Sequence, residues 1–264
     1  MPSNLKTQPK EKPVNRSESL KQTLKTLHLT HIAAQYERMA QTAAADSISH
    51  VEYLQRLVEA EAAVRYERSV LRRTRAARLP VLKTIEQFDW TWPKKINKPA
   101  VTDLFRLRFI EQNSNAVIIG GVGLGKTHLA IALAHEACLS NIPVLFTSAV
   151  EIVNHLAAAQ ATHTLHKALK DYLKPRLLII DELGFVPMDK DAADLFFQVV
   201  SARYERSATL VTTNIVYTKW AHIFDNNSTI ASAILDRLLH HCQTITIEGT
   251  SYRMQNNTHN KEKS

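Results

Sequence analysis

The chain has 264 residues, 45% hydrophobic and 22% charged, enough apolar material for one full core and a smaller appendage, so one or two domains are expected. No apolar run reaches the roughly eighteen residues a membrane helix needs, and the polar, charged N-terminus lacks the apolar segment of a secretory signal. A cytoplasmic protein is therefore expected. The formal charge of +8 favours a polyanionic partner, although only the placement of that charge decides its meaning.

In chain order, residues 1–16 are rich in Lys, Pro, Ser and Asn and read as a flexible tail, because they carry too little apolar surface to offset the entropy of ordering. Residues 17–80 read as a small all-helical domain. Its helical content runs through Leu20, Leu24, Leu27 and Leu29, then Ile32 to Ala40, and after a Ser47 cap through Leu54, Leu57, Val58, Val64 and Leu71, ending at Pro80. Arg65, Arg68, Arg72 and Arg75 recur at spacings of three and four and share one helix face, with Arg73 and Arg78 nearby. Such a stripe can track the phosphates of a nucleic acid. It can equally be a solvated face with Glu61 and Glu67 as local partners. Residues 81–99, containing Phe88, Asp89, Trp90, Trp92 and two prolines, read as a linker that docks aromatics, and a helical pattern resumes from Ala100 to Ile110.

Beyond Asn115 short apolar runs alternate with helical segments, the pattern of a parallel sheet with crossovers. Strands are expected at 116–119, 144–146, 177–180, 209–212 and 244–247, and helices at 127–139, 150–159, 166–173, 191–203 and 228–240. The fold class is α/β: a doubly wound domain over 100–253 with a five-stranded parallel sheet, followed by a disordered tail at 254–264.

Gly120, Gly121, Val122, Gly123, Leu124, Gly125, Lys126 and Thr127 lie between the first strand and its helix. A phosphate-binding loop needs glycines there, because backbone N–H groups must wrap closely round phosphate oxygens, and it needs the strand and helix to aim them. Lys126 is assigned to the β- and γ-phosphates of ATP, and the Thr127 hydroxyl to Mg²⁺. A dinucleotide fingerprint is excluded, since Lys126 stands where the third glycine of Gly121-x-Gly123-x-x-Gly belongs.

The apolar run Leu177 to Ile180 ends in Asp181 and Glu182. Carboxylates at the C-terminal end of a buried strand face the ligand crevice of an open α/β sheet, so Asp181 is assigned to Mg²⁺ and Glu182 to the polarisation of an attacking water. Asn214, which leaves the next strand, can hydrogen-bond the γ-phosphate or that water, or merely begin a turn. Arg237, in the last helix, can act as an arginine finger toward a neighbouring subunit or pair with a carboxylate on its own surface. His163, His166, His240 and His241 form no convincing metal constellation, and the two cysteines, Cys138 and Cys242, fit no metal spacing and read as structural thiols.

The motifs GGVGLGKTHLA, LLIIDELGF, TLVTTN and SAILDRLLHHCQTITIEGTSYR, in that order, resemble the IstB family, the AAA+ ATPases encoded beside the transposase in insertion sequences. More loosely they resemble DnaC-type helicase loaders. The resemblance spans residues 17–253. It implies an AAA+ core behind a helical DNA-binding domain, an ATP-dependent homo-oligomer on duplex DNA, and delivery of that DNA to a cognate transposase. By position it makes Gly120–Thr127 the Walker A motif, Asp181 and Glu182 Walker B, Asn214 sensor 1 and Arg237 the trans-acting arginine, and it makes Arg65, Arg68, Arg72, Arg73 and Arg75 candidates for DNA contact. No separate lid follows Ile247, and a sensor 2 residue is unassigned. A replicative helicase loader, a P-loop small-molecule kinase and a nucleotide-gated binding module are the competing functions.

Overall fold

The computed structural model describes residues 16–252. The tails expected at 1–16 and 254–264 therefore lie, except for Arg16, outside the described residues. The chain forms two compact units, 1–69 and 70–264, which divide within a helix.

The first unit contains α1 (Arg16–Thr26), α2 (Thr30–Ala45) and the greater part of α3 (His50–Ala76). Ser47 does not cap α3. It sits in the left-handed region at φ 54 in the turn after α2, and the hydroxyl of Ser49 accepts the Glu52 N–H at 3.2 Å instead. A hydroxyl two residues nearer the first helical turn is the one within reach of its orphan N–H groups. The core of this unit is thin: Ile32, Ala33, Ala43 and Leu57 are buried, whereas Leu54 and Val58 are exposed. Its polar centre is Glu61, only 4% exposed, whose carboxylate accepts the N–H groups of His31 and Ile32 at the start of α2 (2.8 and 3.0 Å) and the Arg65 Nε at 2.8 Å. A carboxylate from α3 thus supplies the N-terminal cap that α2 lacks from its own sequence.

The second unit holds β1 (Lys95–Ile96), α4 (Lys98–Leu104), α5 (Arg108–Glu111), β2 (Asn115–Gly120), α6 (Lys126–Leu139), β3 (Val144–Ser148), α7 (Ala149–Ala161), α8 (Leu165–Leu173), β4 (Leu177–Leu183), α9 (Lys190–Arg203), β5 (Ala208–Thr213), α10 (Ser228–Leu239) and β6 (Cys242–Glu248). A 3₁₀ turn, Tyr217–Ile223, precedes α10. The sheet has six strands in the order β1-β6-β2-β5-β4-β3, not five. The five expected strands run parallel, and the two-residue β1 adds an antiparallel edge against Glu248 and Ile247 of β6. Two residues give no periodicity to read, so β1 is defined by its partner. The helix expected from Ala100 to Ile110 is two pieces, broken where Leu107 turns left-handed at φ 61.

Strand residues alternate between two apolar layers. Ala116 and Ile118 of β2 face a core formed with α4, α5 and α6, while Val117 and Ile119 face one formed with α7 to α10. Both faces are covered, which is why β2, β4 and β5 read as unbroken apolar runs. Where α8 approaches β5, Arg203 is 2% exposed and donates to the carbonyls of Tyr172 (2.6 Å), Pro175 (3.1 Å) and Ala208 and to the Thr209 hydroxyl (3.1 Å). Burial pulls its pKa down to about 9, still above neutrality, so the guanidinium stays charged and every partner is neutral.

Glu61 makes the first unit sensitive to acid. Burial alone would raise its pKa, but the N–H of Ile32, the guanidinium of Arg65 and the N–H of His31 together hold it below the ordinary glutamate value of 4.5. A carboxyl with a depressed folded pKa contributes stability above its unfolded pKa and loses it as pH falls through the folded one. Glu61→Ala is expected to lower unfolding free energy at pH 7 by about 2 kcal/mol. The difference from the wild type should shrink on acidification below 4.5, as read from urea melts followed by helical circular dichroism.

Candidate functional site

The loop from β2 to α6 turns on glycine. Gly123 and Gly125 have φ of 75° and 85°, in the left-handed region. A Cβ at Gly125 would lie 2.7 Å from Cε2 of Phe88, and one at Gly123 would overlap the Ser251 hydroxyl. Leu124, 2% exposed, anchors the loop between them. The helices α4, α7, α9 and α10 are capped by side chains of Asn97, Ser148, Asp189 and Asn227, whereas α6 begins at Gly125 with no side-chain cap. A helix start without a side-chain cap is the kind that can offer backbone N–H groups to an anion. Lys126 Nζ lies in the same loop, 2.8 Å from the Gly121 carbonyl oxygen.

Asp181, at the end of β4, is 6% exposed. Its carboxylate accepts the Thr127 hydroxyl at 3.0–3.1 Å and the Thr212 hydroxyl of β5. Hard oxygen donors in this arrangement, a carboxylate beside the hydroxyl at the start of the loop helix, suit Mg²⁺. Between Ile180 and Leu183 the pairing of β4 with β5 shifts register. Glu182 occupies that bulge in the left-handed region at φ 58, its N–H donating to the Thr212 hydroxyl at 3.0 Å and its side chain exposed. A glutamate held in a sparsely populated conformation beside a glycine loop is the kind of backbone strain that gathers at functional sites.

Lys126, Thr127, Glu182 and Asn214 line one cavity of about 480 Å³, within the range of small-molecule sites. Phe88, Trp92, Pro93, Leu124 and Tyr252 add an aromatic and apolar lining. The segment expected to be a linker supplies Phe88, Trp92 and Pro93 of this lining. Phe88 is buried under Gly125 and packs edge-on against Trp90 (5.0 Å) and His128 (5.5 Å). Trp92 donates its indole N–H to the Thr250 carbonyl at 3.0 Å and meets Tyr252 edge-on at 5.3 Å, while the Tyr252 N–H donates to the Gly123 carbonyl at 3.1 Å. The stretch after β6 thereby closes over the loop.

The sequence had marked the aromatics as docking residues without a cavity to dock on. It missed Thr212 and Tyr252, whose roles depend on pairings across the fold, and the one available signal was a threonine at the end of a strand. Arg237 does not join the cavity of its own chain. It is half-buried on α10, donates to the Ala233 carbonyl at 2.9 Å and stacks over Phe197 with 4.8 Å to the ring centroid. The arginines of α3 divide similarly. Arg65 donates to Glu61 and to the His28 carbonyl at 2.6 Å, and Arg68 donates to the Thr30 hydroxyl at 3.0 Å. Arg73, in the second unit, donates to the Cys138 carbonyl at 2.9 Å and to Asn141, closing the C-terminal end of α6. Arg65, Arg68, Arg72 and Arg75 are exposed, and Arg73 is half-buried. Arg253 lies outside the described residues. Among the described residues no helix is long and apolar enough to cross a membrane.

Solved structures with this fold include the AMPPCP-bound DnaA of Aquifex aeolicus (TM-score 0.54, 20% identity, 65% of this chain and 51% of that one) and DnaI (TM-score 0.54, 21% identity, 62% and 90%). At such identity the likeness is of fold alone, that of a P-loop AAA+ domain. Closer in sequence are insertion sequence ATP-binding proteins. That of IS5376 from Geobacillus stearothermophilus is 37% identical over 237 residues (90% of this chain, 94% of the relative), and that of IS21 from Pseudomonas aeruginosa is 36% identical over 232 (88% and 87%). The model of the IstB-like ATP binding protein family matches residues 22–260, and this chain belongs to that family.

Proposed function

We propose that the protein is an ATP-hydrolysing AAA+ oligomer that binds duplex DNA and assists a transposase. The observation that carries the reading is the set Thr127, Asp181 and Glu182 at the head of a glycine loop, with Asn214 on the same cavity. The loop N–H groups and Lys126 receive the phosphates of ATP, with Lys126 leaving the Gly121 carbonyl to do so. Trp92, Leu124 and Tyr252 supply an apolar wall suited to a base. Thr127 and Asp181 are the residues that would hold Mg²⁺, which when bound neutralises charge on the β- and γ-phosphates. Glu182 orients the attacking water and accepts its proton, and Asn214 fixes that water against the γ-phosphate.

The described residues lining the cavity include no arginine, and a γ-phosphate in transfer needs positive charge beyond Lys126. Arg237 of a neighbouring copy is our candidate for that charge, so the complete site needs two chains and ATP becomes an assembly switch. We assign DNA contact to the helical N-terminal part, with Arg65, Arg68, Arg72, Arg73 and Arg75 of α3 as the candidates; all but the half-buried Arg73 are exposed. The transposase as partner rests on the insertion sequence names of the relatives. A replicative helicase loader of DnaC type is the second reading, favoured by the fold likeness to the solved DnaC helicase loader. Binding to a hexameric helicase in place of a transposase would select it.

ATPase rate measured with and without duplex DNA tests the core of the reading. Stimulation by DNA supports it, whereas turnover that ignores DNA and requires a small-molecule acceptor would replace it with a kinase. Glu182→Gln is expected to keep ATP binding, to lose about 10²–10⁴-fold in turnover and to lengthen the life of the DNA complex. Unchanged turnover would remove Glu182 from the chemistry. Arg237→Ala should lose turnover on a comparable scale. Mixed with the Glu182→Gln protein it should recover part of it, since one interface then pairs an intact Glu182 with an intact Arg237. A mixture as inactive as its components would place Arg237 outside the neighbouring site.

A further inference from the structure

Helices α9 and α10 pack together, and each ends on a turn that carries potential metal ligands: Tyr204 and Glu205 after α9, His240 and His241 after α10. Neither pair stands out alone in the sequence, because the chain between them contains β5 and a helix. The fold brings them to one spot. His240 Nδ1 lies 3.4 Å and His241 Nε2 3.9 Å from the same Glu205 oxygen, and the three ligand atoms fall within 4.8 Å of one another. A metal with bonds of about 2.0–2.1 Å spaces tetrahedral ligand atoms by about 3.3 Å, so small side-chain rotations bring all three to bonding distance.

We infer that Glu205, His240 and His241 form a binding site for a borderline divalent cation of the zinc class. Two imidazoles and one carboxylate are the donor set that such ions select over Mg²⁺, which prefers oxygen alone. Two helix C-termini converge here, and their carbonyl ends favour a cation. Glu205 is held in the left-handed region at φ 57, which directs its carboxylate toward the α10 turn at a conformational cost. The Tyr204 hydroxyl, 2.7 Å from His240 Nδ1 and also hydrogen-bonded to Glu205, can stay on the carboxylate once His240 engages the metal, as an outer partner that orients a ligand. All three ligand residues are exposed, so no buried charge has to be created. Three protein ligands leave a coordination position open to water or to a side chain of another molecule.

The site is separate from the phosphate loop. The His241 carbonyl accepts the N–H of Asn115, the first residue of β2, whereas the loop follows the last residue of that strand. It adjoins Arg237, three residues before His240 on α10, so an ion there would staple the end of that helix to the turn before β5. The inference does not rest on ATP hydrolysis.

Full-length protein stripped with EDTA should bind Zn²⁺ with a stoichiometry near one per chain by isothermal titration in excess Mg²⁺, and Co²⁺ in its place should give the visible absorption of a four-coordinate site. Glu205→Gln and, separately, His240→Asn with His241→Asn should each weaken binding by at least about tenfold. Far-UV circular dichroism checks that the variants are folded, and Glu205→Gln, on an exposed turn, stands in should the double variant fail. Equal Zn²⁺ affinity in wild type and Glu205→Gln, or no Zn²⁺ uptake by the wild type, would overturn the assignment.

Discussion

The buried carboxylate of Asp181 is the constraint on which the candidate site is built. A charge with 6% exposure is tolerable only if it is partnered, and its partners come from two other elements: Thr127 at the start of α6 and Thr212 in β5. The same Thr212 hydroxyl accepts the Glu182 N–H. One carboxylate and two threonines thereby fix the head of the phosphate loop, the end of the central strand and the bulge that turns Glu182 outward. The two apolar layers supply the stability of the sheet, but they do not say which way these three groups face. The hydrogen bonds do.

The second constraint is the closeness of glycine to aromatic rings. Because Gly125 has no Cβ, Phe88 can lie against the loop backbone, and Trp90 and His128 then pack on Phe88. Trp92 and Tyr252 close the other side through bonds to Thr250 and Gly123. Segments before and after the sheet thus meet over one loop. The cavity is thereby lined by segments from both ends of the domain.

Polar groups in the remaining structure follow the same rule of satisfaction. Glu61 caps a helix to which it does not belong, and Arg203 holds four neutral acceptors without an anion. Both free cysteines have thiol pKa values raised by burial, Cys242 to about 11, which suits packing residues rather than reactive ones. Arginines of α3 that look alike in sequence differ here, since Arg73 is occupied at the end of α6 while Arg75 is exposed.

The glycine loop between β2 and α6, the strand ending in Asp181 and Glu182, and the five parallel strands were legible from residue order alone. Each is a local pattern in which glycines, an apolar run and a following carboxylate sit within a few residues of one another. The position of the cap at Ser49 instead of Ser47, the break at Leu107 and the edge strand β1 were not legible, because each depends on a hydrogen bond whose partner the sequence does not specify. The same holds for the clasp of Trp92 with Tyr252 and for the meeting of Glu205 with His240 and His241. Sequence determined which chemistry the chain carries, since residue type fixes charge, donor and acceptor. Tertiary structure decided which of those groups share a site, since that depends on crossovers that bring residues far apart in the chain within a few ångströms.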